Sequence, residues 1–161
     1  MPLTPPQLIA LRALLDRLIP ADDFPGALAA GTDSFIVNLL EGDCAAEAPS
    51  LAAGLTQLDA EAAALHGSDR AFADLSPSDQ DTLLSALEQN HPATHWPEPL
   101  TAAAFFNRMV DLTAEGFYAD PANGGNRDAA SWRMIGYDPH LPVSLSNVGG
   151  VPPPRTAPPL P

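Results

Sequence analysis

His91 and His95 stand four residues apart, the spacing that sets two imidazoles on one helix face for zinc. Pro92 follows His91 directly and Pro97 and Pro99 close the stretch, so a broken backbone is expected there rather than a helix. No adjacent glutamate completes a hydrolase motif, and a metal-dependent enzyme built on these two with His66 or His140 serves as a contrast reading only. Asp22 and Asp23 are paired carboxylates, a type that can share a proton or hold a cation, but neighbours in a turn rarely converge on one point and aspartate is a common turn residue. Cys44 is the single cysteine, which excludes an internal disulfide and any multi-cysteine metal site. The chain has no glycine-rich phosphate loop, dinucleotide fingerprint or nucleophile elbow. The expectation is therefore no catalytic, cofactor-binding or metal-binding residue in this chain, and a function carried by contact.

The residues suited to contact are concentrated between Gly116 and Tyr137, in GFYADPANGGNRDAASWRMIGY. Both tyrosines, one of the two tryptophans and a Gly-Gly-Asn-Arg-Asp run fall in this window. Two readings stand side by side. In the first, Arg127 satisfies carbonyls left open at the end of a helix or pairs with Asp120, while Trp132 covers the core. In the second, the segment is a docking surface, because Tyr, Trp, Arg and Met are enriched at interface centres. The candidate partner-binding residues are Phe117, Tyr118, Asp120, Gly124, Gly125, Asn126, Arg127, Asp128, Trp132 and Met134.

An all-α domain, one bundle of about five helices, is expected to position them. Thr4 caps a first helix opened by Pro5 and Pro6, with Leu8, Leu11, Leu15 and Leu18 at helical spacing until Pro20. A second helix carries Phe35, Ile36, Leu39 and Leu40 before Gly42, and a third starts at Ser50, aligns Leu51, Leu55, Leu58 and Leu65, and ends at Gly67. Ser76 and Pro77 open a fourth, which buries Leu83, Leu84 and Leu87. The fifth presents Phe105, Phe106, Met109, Leu112 and Phe117 and must stop near Asp120, because Pro121 follows. Gly124 and Gly125 let the chain reverse, and Asp128 is expected to cap a short C-terminal helix holding Trp132, Met134 and Ile135. The domain is read as residues 1–138, followed at 139–161 by an extended proline-rich tail with a Pro-x-x-Pro pattern at Pro158 to Pro161.

The formal net charge is −13, with seven arginines and no lysine, so a nucleic acid would be repelled. The same excess favours solubility and would attract a basic protein surface. No apolar run approaches the roughly 20 residues of a membrane span. The N-terminus lacks a twin-arginine pair and a cleavage site, so a cytoplasmic protein is expected unless an exported partner carries it to the periplasm.

The segment Gly116 to Tyr137, as G-F-Y-x-D-P, G-G-N-R-D and W-x-M-I-G-Y, resembles the C-terminal signature of the gluconate 2-dehydrogenase subunit 3 family. Leu18-Ile19-Pro20-Ala21-Asp22-Asp23, with Pro25-Gly26-Ala27 and Gly31, is similar to that family's opening pattern. The resemblance implies a small helical accessory subunit of a membrane-associated sugar or sugar-acid dehydrogenase. It further implies a large FAD-dependent oxidoreductase subunit as partner and a cytochrome c subunit carrying haem, with no flavin or haem on the small subunit itself. Support of the partner's maturation or export is implied too, although this chain departs from the pattern in lacking the twin-arginine signal. A free-standing helical binding or scaffold protein that has lost its dehydrogenase is the alternative.

Overall fold

The computed structural model describes residues 2–137; the proline-rich segment, the domain boundary expected at 138 and His140 lie outside them. Six α-helices follow in order: α1 (Pro5–Leu18), α2 (Thr32–Glu41), α3 (Ala48–His66), α4 (Pro77–Glu88), α5 (Ala102–Tyr118) and the short α6 (Ala130–Ile135). No strand occurs among the described residues.

Local chemistry sets most of the helix ends. The Thr4 N–H donates to Gln7 Oε1 at 2.8 Å, while Gln7 Nε2 reaches Ala52 O and Thr56 Oγ1 at 3.0 Å and so ties α1 to α3. Ser76 Oγ accepts the Asp79 N–H at 3.2 Å, and Thr101 Oγ1 accepts that of Ala104 at 3.1 Å, each satisfying a donor that its helix cannot. α3 begins at Ala48, two residues before the expected Ser50, because Pro49 sits in the first turn, where its missing N–H is no loss.

α1 packs on α3, and α5 lies against α2 and α4. Between them Leu11, Leu14, Leu15, Ile36, Leu55, Leu58, Leu83, Leu87, Phe105 and Met109 are almost fully buried, each stabilising the fold by about 1.5–3 kcal/mol. Leu65 departs from the expected buried face of α3. Burial on that helix ends at Ala62, so the last turn projects past the core and leaves Leu65 exposed.

Glu61 is a buried polar residue that no pattern in the sequence singles out. Its buried carboxylate accepts from Ala93 N (2.7 Å), Thr94 N (3.0 Å), Thr94 Oγ1 and Trp96 Nε1 (3.0 Å). These bonds fasten the irregular connector between α4 and α5 onto α3, and they place Trp96 against Phe105 with ring centroids 5.4 Å apart. The carboxylate thus compensates its own desolvation with donors rather than with a cation.

Candidate functional site

The segment after α5 folds back on the helix that precedes it, and two glycines allow the approach. A side-chain carbon on Gly116 would lie 2.7 Å from the Phe35 ring and 2.9 Å from Thr32 Cγ2, and one on Gly125 would lie 2.2 Å from the Gly116 carbonyl oxygen. Asp120 Oδ1 accepts the Ala122 N–H at 2.9 Å, shaping the turn at Pro121–Asn123.

Asn126 then closes the clasp. Its N–H donates to Gly116 O at 3.0 Å, its Nδ2 to Ala119 O at 2.9 Å, and its Oδ1 accepts the Ser131 N–H at 2.9 Å. Trp132 Nε1 adds a bond to Tyr118 O at 3.2 Å. The open carbonyls at the end of α5 are therefore met by Asn126 and Trp132, a task expected of Arg127. The cap expected of Asp128 also falls to Asn126, because Asp128 sits at φ 57° in a 3-10 turn, from which its side chain makes no cap to α6.

Arg127 lies elsewhere. Its backbone N–H donates to Ala30 O at 2.8 Å, and its guanidinium passes Gly31, where an added carbon would stand 3.1 Å from Nη2. Among the described residues the guanidinium makes no hydrogen bond or ion pair, Asp120 included, whereas Arg12, Arg17 and Arg108 are all matched to carboxylates. The bond to Ala30 joins the N-terminal motif to the C-terminal one. That first motif is itself a tight turn, with Ala27 N donating to Ile19 O at 2.9 Å and Asp22 Oδ1 accepting the Phe24 N–H at 2.8 Å. Asp22 is thereby committed to its own backbone.

The ten candidate residues divide by burial. Phe117, Gly125 and Asn126 are inside and shape the clasp from within; Tyr118, Asp120, Gly124, Arg127 and Asp128 face out; Trp132 and Met134 are half-buried. An open groove of about 390 Å³ runs beside the clasp, lined by Phe35, Asn38, Leu39, Gly42, Asp43 and Asn123. The α2 side of this junction escaped the sequence reading, although Gly31 in the N-terminal motif was a signal for it. What the arrangement offers is ring faces, a groove and, in Arg127, a guanidinium without a bonded partner among the described residues, the elements of polypeptide recognition.

Other polar groups are spent internally or stand apart. His91 and His95 are exposed in the connector between α4 and α5, and among the described residues no three His, Cys, Asp or Glu side chains are grouped to hold a metal. Arg108 bridges Glu47 at 2.8 Å and Glu115 at 3.1 Å; its hydrogen bonds to Glu47 hold that carboxyl below its ordinary value and raise the guanidinium's own. Partial burial, reinforced by Glu47, pushes the Cys44 thiol up and so disfavours a reactive thiolate. Among the described residues no helix is long and apolar enough to cross a membrane.

A family model described as gluconate 2-dehydrogenase subunit 3 matches residues 5–139. No curated protein and no solved structure matches.

Proposed function

The chain belongs to the gluconate 2-dehydrogenase subunit 3 family, and on that premise we propose that it is a non-catalytic accessory subunit of an FAD-dependent oxidoreductase. In this reading a separate flavoprotein oxidises the substrate, a cytochrome c subunit takes the electrons, and this chain supports assembly or export of the flavoprotein. The observation that carries the reading is the junction of the two family motifs. Arg127 binds Ala30 through its backbone while its guanidinium meets no carboxylate among the described residues. An exposed arginine in a segment that also carries Tyr118 and Trp132 matches the composition of interface anchors.

Co-purification from the native host tests the proposal. A stoichiometric complex with a large flavoprotein is expected, and recovery of a lone monomer would overturn it. Within the complex, Arg127→Ala should weaken association by about 2 kcal/mol, close to 30-fold in Kd. The same change should leave the thermal midpoint of the free chain unmoved, because the guanidinium makes no hydrogen bond or ion pair among the described residues. Unchanged affinity would remove Arg127 from the interface.

A further inference from the structure

The open groove of about 390 Å³ beside the clasp has two walls, and the one charged side chain lining it is a carboxylate. Phe35, Asn38 and Leu39 come from α2, Gly42 and Asp43 from the loop after it, and Asn123 from the turn that follows α5. An added carbon on Gly116 would stand 2.7 Å from the Phe35 ring, so that ring is held against the core and forms a fixed apolar wall with Leu39. Leu39 O accepts the Gly42 N–H at 3.2 Å and the Cys44 N–H at 2.9 Å, which fastens the loop carrying Asp43 to the end of α2. On the other wall the Asn123 N–H donates to Asp120 O at 2.8 Å.

Among the described residues Asp43 makes no hydrogen bond or ion pair, and the side-chain amides of Asn38 and Asn123 make no hydrogen bond. The negative end of the α2 dipole adds to the field, and no basic residue in the last turn of that helix offsets it. A neighbouring groove that shares Asn38 has no such imbalance, because the Arg12 and Asp33 that line it neutralise each other at 2.9 Å. The occupant these walls suit is a cation with an apolar body. Arginine supplies an aliphatic stem and a planar, weakly hydrated guanidinium that stacks on a ring, with five N–H donors to share between a carboxylate and amide oxygens. Asparagine amides, each with donors and an acceptor, also match the N–H and C=O groups of an extended peptide backbone. A second copy is disfavoured as the source, since it would bring another −13 to a chain of −13, whereas a basic segment of another polypeptide is attracted.

The geometry points to this groove as the seat of an arginine side chain presented by a partner polypeptide, its guanidinium bonded to Asp43 and its stem laid on Phe35 and Leu39. The inference rests on the accessory-subunit reading only for who the partner is; its test uses the free chain, so the groove can fail while a complex with a flavoprotein still forms. Nuclear magnetic resonance of the labelled chain, titrated with an end-capped Gly-Arg-Gly tripeptide, tests it. Saturable shifts are expected at the side-chain amides of Asn38 and Asn123 and at the backbone of Gly42 and Asp43. The citrulline counterpart, which keeps the shape and loses the charge, should bind about 10-fold more weakly or worse. Asp43→Asn should weaken the arginine peptide by about the same factor. The thermal midpoint should not move, because Asp43 bonds nothing among the described residues. Absence of saturable shifts at these positions would overturn the inference, as would equal affinity for the citrulline peptide or an unchanged affinity in Asp43→Asn. Movement of the same resonances on concentrating the chain alone would overturn it too, by giving the groove to a second copy.

Discussion

Asn126 holds a left-handed backbone angle and two side-chain hydrogen bonds at once, one buried and one partly so, with φ at 43° and no exposed surface. Asparagine tolerates that region better than most residues, and alanine would pay the steric cost of about 1 kcal/mol. Losing the side chain also strands the Ala119 carbonyl and the Ser131 N–H, at about 1–3 kcal/mol for each buried group. Asn126→Ala is expected to destabilise the chain by about 3 kcal/mol or more in a denaturant titration, and a loss under about 1 kcal/mol would show that the clasp is not held there. Arg127, one position on, carries the reverse expectation of lost affinity at constant stability. Two polar neighbours in one motif thus have opposite duties, and only their burial separates them.

At the scale of elements, the α3–α5 contact turns on Gly54. A side-chain carbon there would lie 2.2 Å from a Phe105 ring atom, and that ring is itself 1% exposed and cannot step aside. Alanine would gain about 0.5–1 kcal/mol of helix preference but incur about 1–3 kcal/mol of overpacking. Gly54→Ala should therefore lower the thermal midpoint, and a rise would mean that the helices can part freely. Arg108 makes a second link, from α5 to the turn before α3. Glu47 has a carboxyl pKa below the ordinary value of about 4.5 in the folded chain, so its contribution is complete above that value and is lost as pH falls through the folded one. Glu47→Gln should lower stability modestly at neutral pH, by about 0–1 kcal/mol because both groups are partly exposed, and should flatten the loss seen on acidification. An acid limb unchanged in the variant would assign that loss to other carboxylates.

Across the whole molecule, 20 acidic side chains face seven arginines, and the compact state works against its own charge. Raising salt from about 0.01 M to about 0.5 M shortens the screening length from about 30 Å to below 8 Å and should raise the thermal midpoint. A fall would show that the three arginine links outweigh the repulsion. Periodicity and end signals made the five longer helices legible in the sequence: leucines at helical spacing in α1 and α4, Ser76-Pro77, and Pro121 after α5 depend on neighbours a few positions away. The window from 116 to 137 was legible as a special segment for the same reason, through its glycines and rings. Residue types alone left open which side chains in it face inward, and they gave no sign that Glu61 would hold the 93–96 connector or that Ala30 and Gly31 would receive Arg127. Those pairings join positions far apart in the chain, and only packing of the helices brings them within hydrogen-bond reach. Local sequence thus fixed where helices start and stop, while the tertiary structure decided which polar groups are consumed inside and which remain free to meet another surface.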